Sequence, residues 1–179
     1  DVDLQCEMVF LDVPERSFLA STPREILITE VQLPVTASST AGGGDEQEVR
    51  ISLPFNHAVS CIIICTKETD TQMSAAIAGD DLRFETVKLM LNHQNRFYDD
   101  EVDAEYLQQV ARRFFSGSRA RKNGVAVIPF ALNPENSAEA SGSLNFSRID
   151  RADLVLGKVK ASTDIHVFCR SWNSIRYSH

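Results

Sequence analysis

Residues Ala58 to Thr66 read AVSCIIICT, a run apolar enough to be buried on both sides if it is a strand. A strand with one wet face would instead alternate apolar and polar residues. Val49, Ile51 and Leu53 do alternate in that way with Arg50 and Ser52. Other segments rich in β-branched and aromatic residues, bounded by Gly, Pro, Asn and Asp, bring the expectation to about eight strands. They run from Glu7 to Leu11, Ile26 to Leu33, Leu82 to Leu91, Val125 to Leu132, Ser143 to Ser147, Leu154 to Lys160 and Ile165 to Trp172. In the second of these, Ile26, Ile28, Glu30 and Gln32 share one face, and Leu27, Thr29, Val31 and Leu33 share the other.

Between Leu33 and Glu48 lies PVTASSTAGGGDEQE, which offers no face to bury and predicts a surface loop. One helix is expected, Glu101 to Phe115, where Val102, Tyr106, Val110 and Phe114 recur every four residues beside Leu107 and Ala111. Asp99, Asp100, Glu101 and Asp103 crowd its start and Arg112 and Arg113 its end, as the helix dipole prefers. Strands in series with one helical excursion predict an all-β antiparallel sandwich or barrel, because the strand–helix alternation of a parallel sheet is missing. With 179 residues, 43% of them hydrophobic, a single domain spanning 1–179 has material for one well-filled core.

The 25 acidic residues outnumber the 18 basic ones, and a net charge of -7 argues against a direct grip on nucleic acid. No apolar run approaches the roughly 20 residues of a membrane-spanning helix, so a soluble chain is expected. The four cysteines, Cys6, Cys61, Cys65 and Cys169, are too few and scattered for a disulfide scaffold and suit a reducing compartment. The chain opens at Asp1 with neither Met nor a signal-peptide pattern, from which a fragment or processed product is expected.

Motifs for chemistry are weak. Gly79-Asp80-Asp81 has the form of a polymerase metal turn, but a polar turn feeding the strand at Leu82 is the simpler reading. On a strand rising ~3.3 Å per residue, Cys61 and Cys65 would lie roughly 13 Å apart, too far to share zinc. His57, His93, His166 and His179 lack the spacing of a metal-binding cupin. The acidic residues from Asp99 to Asp103 read as a solvated helix start rather than a calcium site or carboxylate pair. Asn145-Phe146-Ser147 fits a glycosylation sequon, a short and common pattern. No GxSxG elbow or phosphate loop occurs, and Gly42-Gly43-Gly44 lacks the necessary lysine. The expectation is therefore no enzyme, cofactor or metal.

The stretch SGSLNFSRID is more informative. It predicts a turn at Ser141-Gly142 and then a strand with Leu144 and Phe146 inward and Ser143, Asn145 and Ser147 on the opposite face. Arg148 would fall on the apolar side, where Asp150 is its expected ion-pair partner. With FALNPE, Phe130 to Glu135, just before it, this block strongly resembles the major capsid proteins of nucleocytoplasmic large DNA viruses. The segment MVFLDVPERSFLASTPREILITEVQ is similar to that family's approach to its second barrel. ISLPFNHAV, LMLNHQNRF from Leu89 to Phe97, and Ile165 to Tyr177 also resemble family segments, in order along almost the whole chain. Ala140, Ala58 and Arg151 depart locally from the family pattern, in which Pro, Pro and Asn are common.

The resemblance implies a jelly-roll with one short helix in a long loop, corresponding to the second, C-terminal barrel of a double jelly-roll subunit whose N-terminal barrel is absent from this chain. It also implies homotrimeric, pseudo-hexagonal capsomers in an icosahedral virion capsid, assembled in the host cell, in its cytoplasm. Partners would be further copies, minor capsid proteins and an internal viral membrane. The structural signature is Ser141, Gly142, Asn145, Phe146, Ser147, Arg148 and Asp150. The loops Leu33 to Glu48 and Phe97 to Gly124 are long enough to meet neighbouring subunits. The alternative is a lectin-like jelly-roll that reads glycans on exposed aromatics such as Trp172 and Tyr98.

Overall fold

The computed structural model describes residues 3, 5–40, 47–69, 82–98, 100–114 and 124–177, except the side chains at 111, 112, 114 and 177. Two compact units emerge, Asp1–Ile28 with Ser174–His179, and Thr29–Asn173.

In the smaller unit, the Asp12 carboxylate accepts from the Val13 N–H at 2.7 Å and caps helix α1 (Val13–Ser21), which has Pro14 in its first turn. No residue of α1 is buried, and the Arg24 guanidinium lies over the Phe18 ring, 5.4 Å from its centre. This helix was not expected from the sequence. The strand expected over Glu7 to Leu11 does not form, and Met8, Val9 and Phe10 are exposed. Apolar residues alone do not make a strand when no neighbour completes the ladder.

Strand β1 (Arg24–Ser38) is followed by β2 (Gln47–Ser52), β3 (Ala58–Glu68) and β4 (Thr86–Leu91). The two-residue strands β5 (Gln94–Asn95) and β6 (Val102–Asp103) lead to helix α2 (Ala104–Phe114). Then come β7 (Val125–Pro129), β8 (Leu144–Asn145), a 3-10 turn over Phe146–Arg148, β9 (Ala152–Val159) and β10 (Thr163–Tyr177). One sheet has the order β1-β10-β3-β7 with β8 on β3, and the other the order β2-β9-β4-β5 with β6 on β4. The chain passes repeatedly from one sheet to the other, and the specified pairings are antiparallel. That is the expected jelly-roll, all-β and antiparallel, with two short helices among the described residues where one was expected.

The run that opened the sequence reading becomes β3, flanked on both sides by β10 and β7. Its register pairs Ile62 with Cys169 and Ile128, and Ile64 with Val167 and Ala126. These residues face the second sheet, where Ile51, Val87, Leu89, Leu154 and Leu156 complete the core. Ala104 and Leu107 bring α2 into the same core.

Several boundaries moved. Strand β1 continues through Pro34 to Ser38, into the expected loop, because Val35 and Ala37 pack against the core. Pro34 is tolerated because β1 is an edge strand, where a missing N–H costs no ladder bond. Residues 82–85 precede β4 without strand geometry, although Phe84 is buried. Strand β10 extends five residues beyond Trp172, to Tyr177. Helix α2 starts at Ala104 rather than Glu101, since Val102 and Asp103 first pair with β4. Asp99, Phe115, the Gly79-Asp80-Asp81 turn and the three glycines from Gly42 lie outside the described residues.

Candidate functional site

Five of the signature residues are used inside the protein. The Ser141 hydroxyl accepts from Asn133 N–H at 2.8 Å and donates to its carbonyl at 3.2 Å, while the Ser141 carbonyl accepts from Leu132 N–H. Ser141 thus clasps the two halves of the family-like block together. Gly142 adopts φ 141°, and a Cβ there would meet the Phe130 carbonyl oxygen at 3.0 Å. Only glycine meets both demands without strain.

Leu144 and Asn145 then pair with Val59 and Ala58. The expected strand stops there, because the Asn145 carboxamide accepts from Ser147 N–H at 3.1 Å and caps the 3-10 turn. Phe146 is buried and meets Phe55 and Phe130 edge-on, with ring centres 6.2 and 6.0 Å away. The Ser147 hydroxyl accepts from His57 N–H at 2.9 Å, and Phe146 N–H donates to the His57 carbonyl at 2.9 Å. His57 is thereby held at φ 64°, in the left-handed region, where the chain turns into β3.

Arg148 and Asp150 do not follow the expectation. The 3-10 turn breaks the strand alternation, leaving both exposed, and no ion pair joins them among the described residues. The buried carboxylate nearby is Asp153, contacted by Arg151 at 2.8 Å and Arg50 at 3.6 Å.

Two residues outside the signature complete the arrangement. The Ser60 carbonyl accepts from both Phe130 N–H and Ala131 N–H, at 2.9 and 3.1 Å. Ser60 can do this because the β3–β10 register slips there, pairing Arg170 with Cys61 and Ser171 with Val59. Arg170 donates to the carbonyls of Pro134 and Glu135 at 2.9 and 3.1 Å, tying the FALNPE segment to β10. A lone arginine within VFCRSW was the available sequence signal, and a one-residue bulge has none.

The remaining candidates have structural surroundings. Burial raises the Cys61 thiol pKa, pushes Cys65 up to about 11 and Cys169 to about 12, so all three stay protonated and unreactive at neutral pH. Among the described residues no three His, Cys, Asp or Glu side chains gather as metal ligands. A 400 Å³ cleft is bordered by Glu85, Asp103, Glu105 and Lys160, but Glu85 already pairs with Lys158 at 2.7 Å. Trp172 is 8% exposed on β10 and offers no stacking platform, whereas Tyr98 is fully exposed.

Residues 15–176 match the family described as large eukaryotic DNA virus major capsid protein. The chain belongs to this family. The major capsid protein of Pyramimonas orientalis virus is 26% identical over 97% of this chain and 46% of its own length. That of Paramecium bursaria Chlorella virus 1 is 26% identical over 88% of this chain and 42% of its own. The chain therefore spans about half the length of these capsid proteins. The PBCV-1 VP54 crystal structure, as fitted into a reconstruction of the virophage Sputnik, superposes with a TM-score of 0.73 at 21% identity. It is covered over 53% of its length, by 94% of this chain. A quasi-atomic model of the PBCV-1 capsid gives the same TM-score at 22% identity. At such identities the likeness concerns the fold, and it agrees with the jelly-roll sheet order of this capsid-family chain.

Proposed function

We propose that this chain is a shell-building barrel of a viral major capsid protein, one of two jelly-rolls in its subunit and the C-terminal one. Subunits assemble as trimers of pseudo-hexagonal outline into an icosahedral virion capsid, formed in the host cytoplasm, and meet minor capsid proteins and an internal membrane. The observation that carries this reading is the family match over residues 15–176. The chemistry supports it, because the most family-like residues are consumed in fastening strands rather than in forming a reactive cluster. A charge of -7 disfavours direct genome binding.

Sedimentation equilibrium and negative-stain microscopy of the subunit encoded by the full reading frame test the proposal. Discrete trimers with a six-lobed outline are expected, and a subunit that stays monomeric at every concentration would overturn the reading.

A further inference from the structure

On the outer side of the β2-β9-β4 sheet, one buried carboxylate gathers more positive charge than it needs. Asp153 lies on β9 between its register partners Ser52 of β2 and Met90 of β4, and it is only 4% exposed. The Nε atoms of two arginines converge on the same oxygen of it, Oδ2, Arg151 at 2.8 Å and Arg50 at 3.6 Å. One cation neutralises a buried carboxylate. The second guanidinium is drawn up beside the first, and like charges that close repel unless a further anion lies between them.

Lys88 of β4 adds a third cation. It and Arg50 are both register partners of Val155, from opposite sides of β9. Lys88 has no ion-pair partner among the described residues, and neither has Glu48, two places before Arg50. Three cations around one carboxylate leave two positive charges here, on a chain whose net charge is -7. The arginines are also set in place from different elements. Arg151 N–H donates to the Asn92 carboxamide oxygen at 3.1 Å and Asn92 N–H donates to the Arg151 carbonyl at 2.8 Å, so the turn after β4 fixes where that side chain starts. Arg50 comes from the ladder of β2. With their Nε atoms turned to Asp153, the Nη groups have no acceptor among the described residues, and the two side chains are 54% and 56% exposed.

A planar carboxylate is matched by a single guanidinium fork. Two forks brought to one point from different strands, with an ammonium on the adjoining strand, fit oxygens that point several ways and carry two negative charges. We infer that Arg50, Arg151 and Lys88, oriented by Asp153, form a binding site for a phosphate dianion, free or carried as a monoester.

Isothermal titration calorimetry of the 179-residue chain with inorganic phosphate, at slightly alkaline pH and constant ionic strength, tests it. Saturable binding is expected, and Arg50→Gln and Arg151→Gln should each weaken it at least about tenfold, as loss of a charge-assisted pair does. Lys88→Gln, which disturbs no buried ion pair, should weaken it about threefold or more, so the test holds even if an arginine variant fails to fold. Arg113→Gln, exposed on α2, should leave it unchanged. Thermal melting establishes which variants are folded. Phenyl phosphate binding more tightly than inorganic phosphate would assign the site to an esterified group, and equal affinity would assign it to the free ion. Acetate binding as well as phosphate would overturn the choice of a phosphate dianion. Heat that follows ionic strength alone, or binding unchanged in the folded Arg50, Arg151 and Lys88 variants, would overturn the site and leave an arginine pair that only neutralises Asp153.

Discussion

At the scale of single residues, conformation decides more than side-chain chemistry. Gly142 combines positive φ with close approach to a carbonyl oxygen, so Gly142→Ala should lower stability by about 1–3 kcal/mol in urea unfolding. Arg148 lies in the same motif but is exposed, and Arg148→Met should change stability by less than about 0.5 kcal/mol in that assay. The contrast shows how much of the site was legible. Strand spacing in SGSLNFSRID correctly placed Phe146 in the core, because a large aromatic is buried in either geometry. The same spacing misplaced Arg148, since Asn145 caps a 3-10 turn and rotates every later side chain. A local hydrogen bond thus overrode a periodic pattern.

Between elements, the tightest constraint lies where β4 meets β9. Thr86 and Gly157 are register partners, and a Cβ on Gly157 would collide with the Thr86 hydroxyl. Gly157→Ala should cost about 1–3 kcal/mol, and Thr86→Ala should recover much of that loss, a coupling that a double-mutant cycle of unfolding free energies measures. Strands β3 and β10 are joined outside the ladder by Lys67, whose hydrogen bond to Asp164 holds that carboxyl below its ordinary value of 3.8. A depressed folded pKa contributes stability above the ordinary carboxylate range, and the contribution is lost as pH falls through the folded value. Melting temperatures across an acid series should therefore fall less steeply for Asp164→Asn than for the parent. The strand expected at Glu7 to Leu11 failed for a reason of the same scale: its partner is another element, and the ladder does not exist without one.

At the scale of the whole molecule, the barrel shields three of its four thiols. Cys61, Cys65 and Cys169 are buried and Cys6 is exposed. A thiol-reactive chromophore at pH 8 should accordingly titrate one cysteine in the folded protein and four after denaturation. Because the three buried sites span β3 and β10 at the centre of one sheet, their release should follow global unfolding and coincide with the loss of β circular dichroism.

The sequence by itself determined the fold class, the doubly buried strand and the family, since each rests on local periodicity or on an ordered set of short motifs. Helix α1 was not expected, although its start is local in the sequence, with Asp12 followed by Pro14 and Glu15. Only the tertiary structure decided that Pro34 lies in a strand, that a bulge at Ser60 seats the FALNPE segment, and that Arg170 ties it down. These features arise from pairings between residues far apart in the chain. Ser60 and Arg170, 110 positions apart, become neighbours only when the register of β3 on β10 is set. No local pattern encodes that register, because it depends on the strands that fold around both.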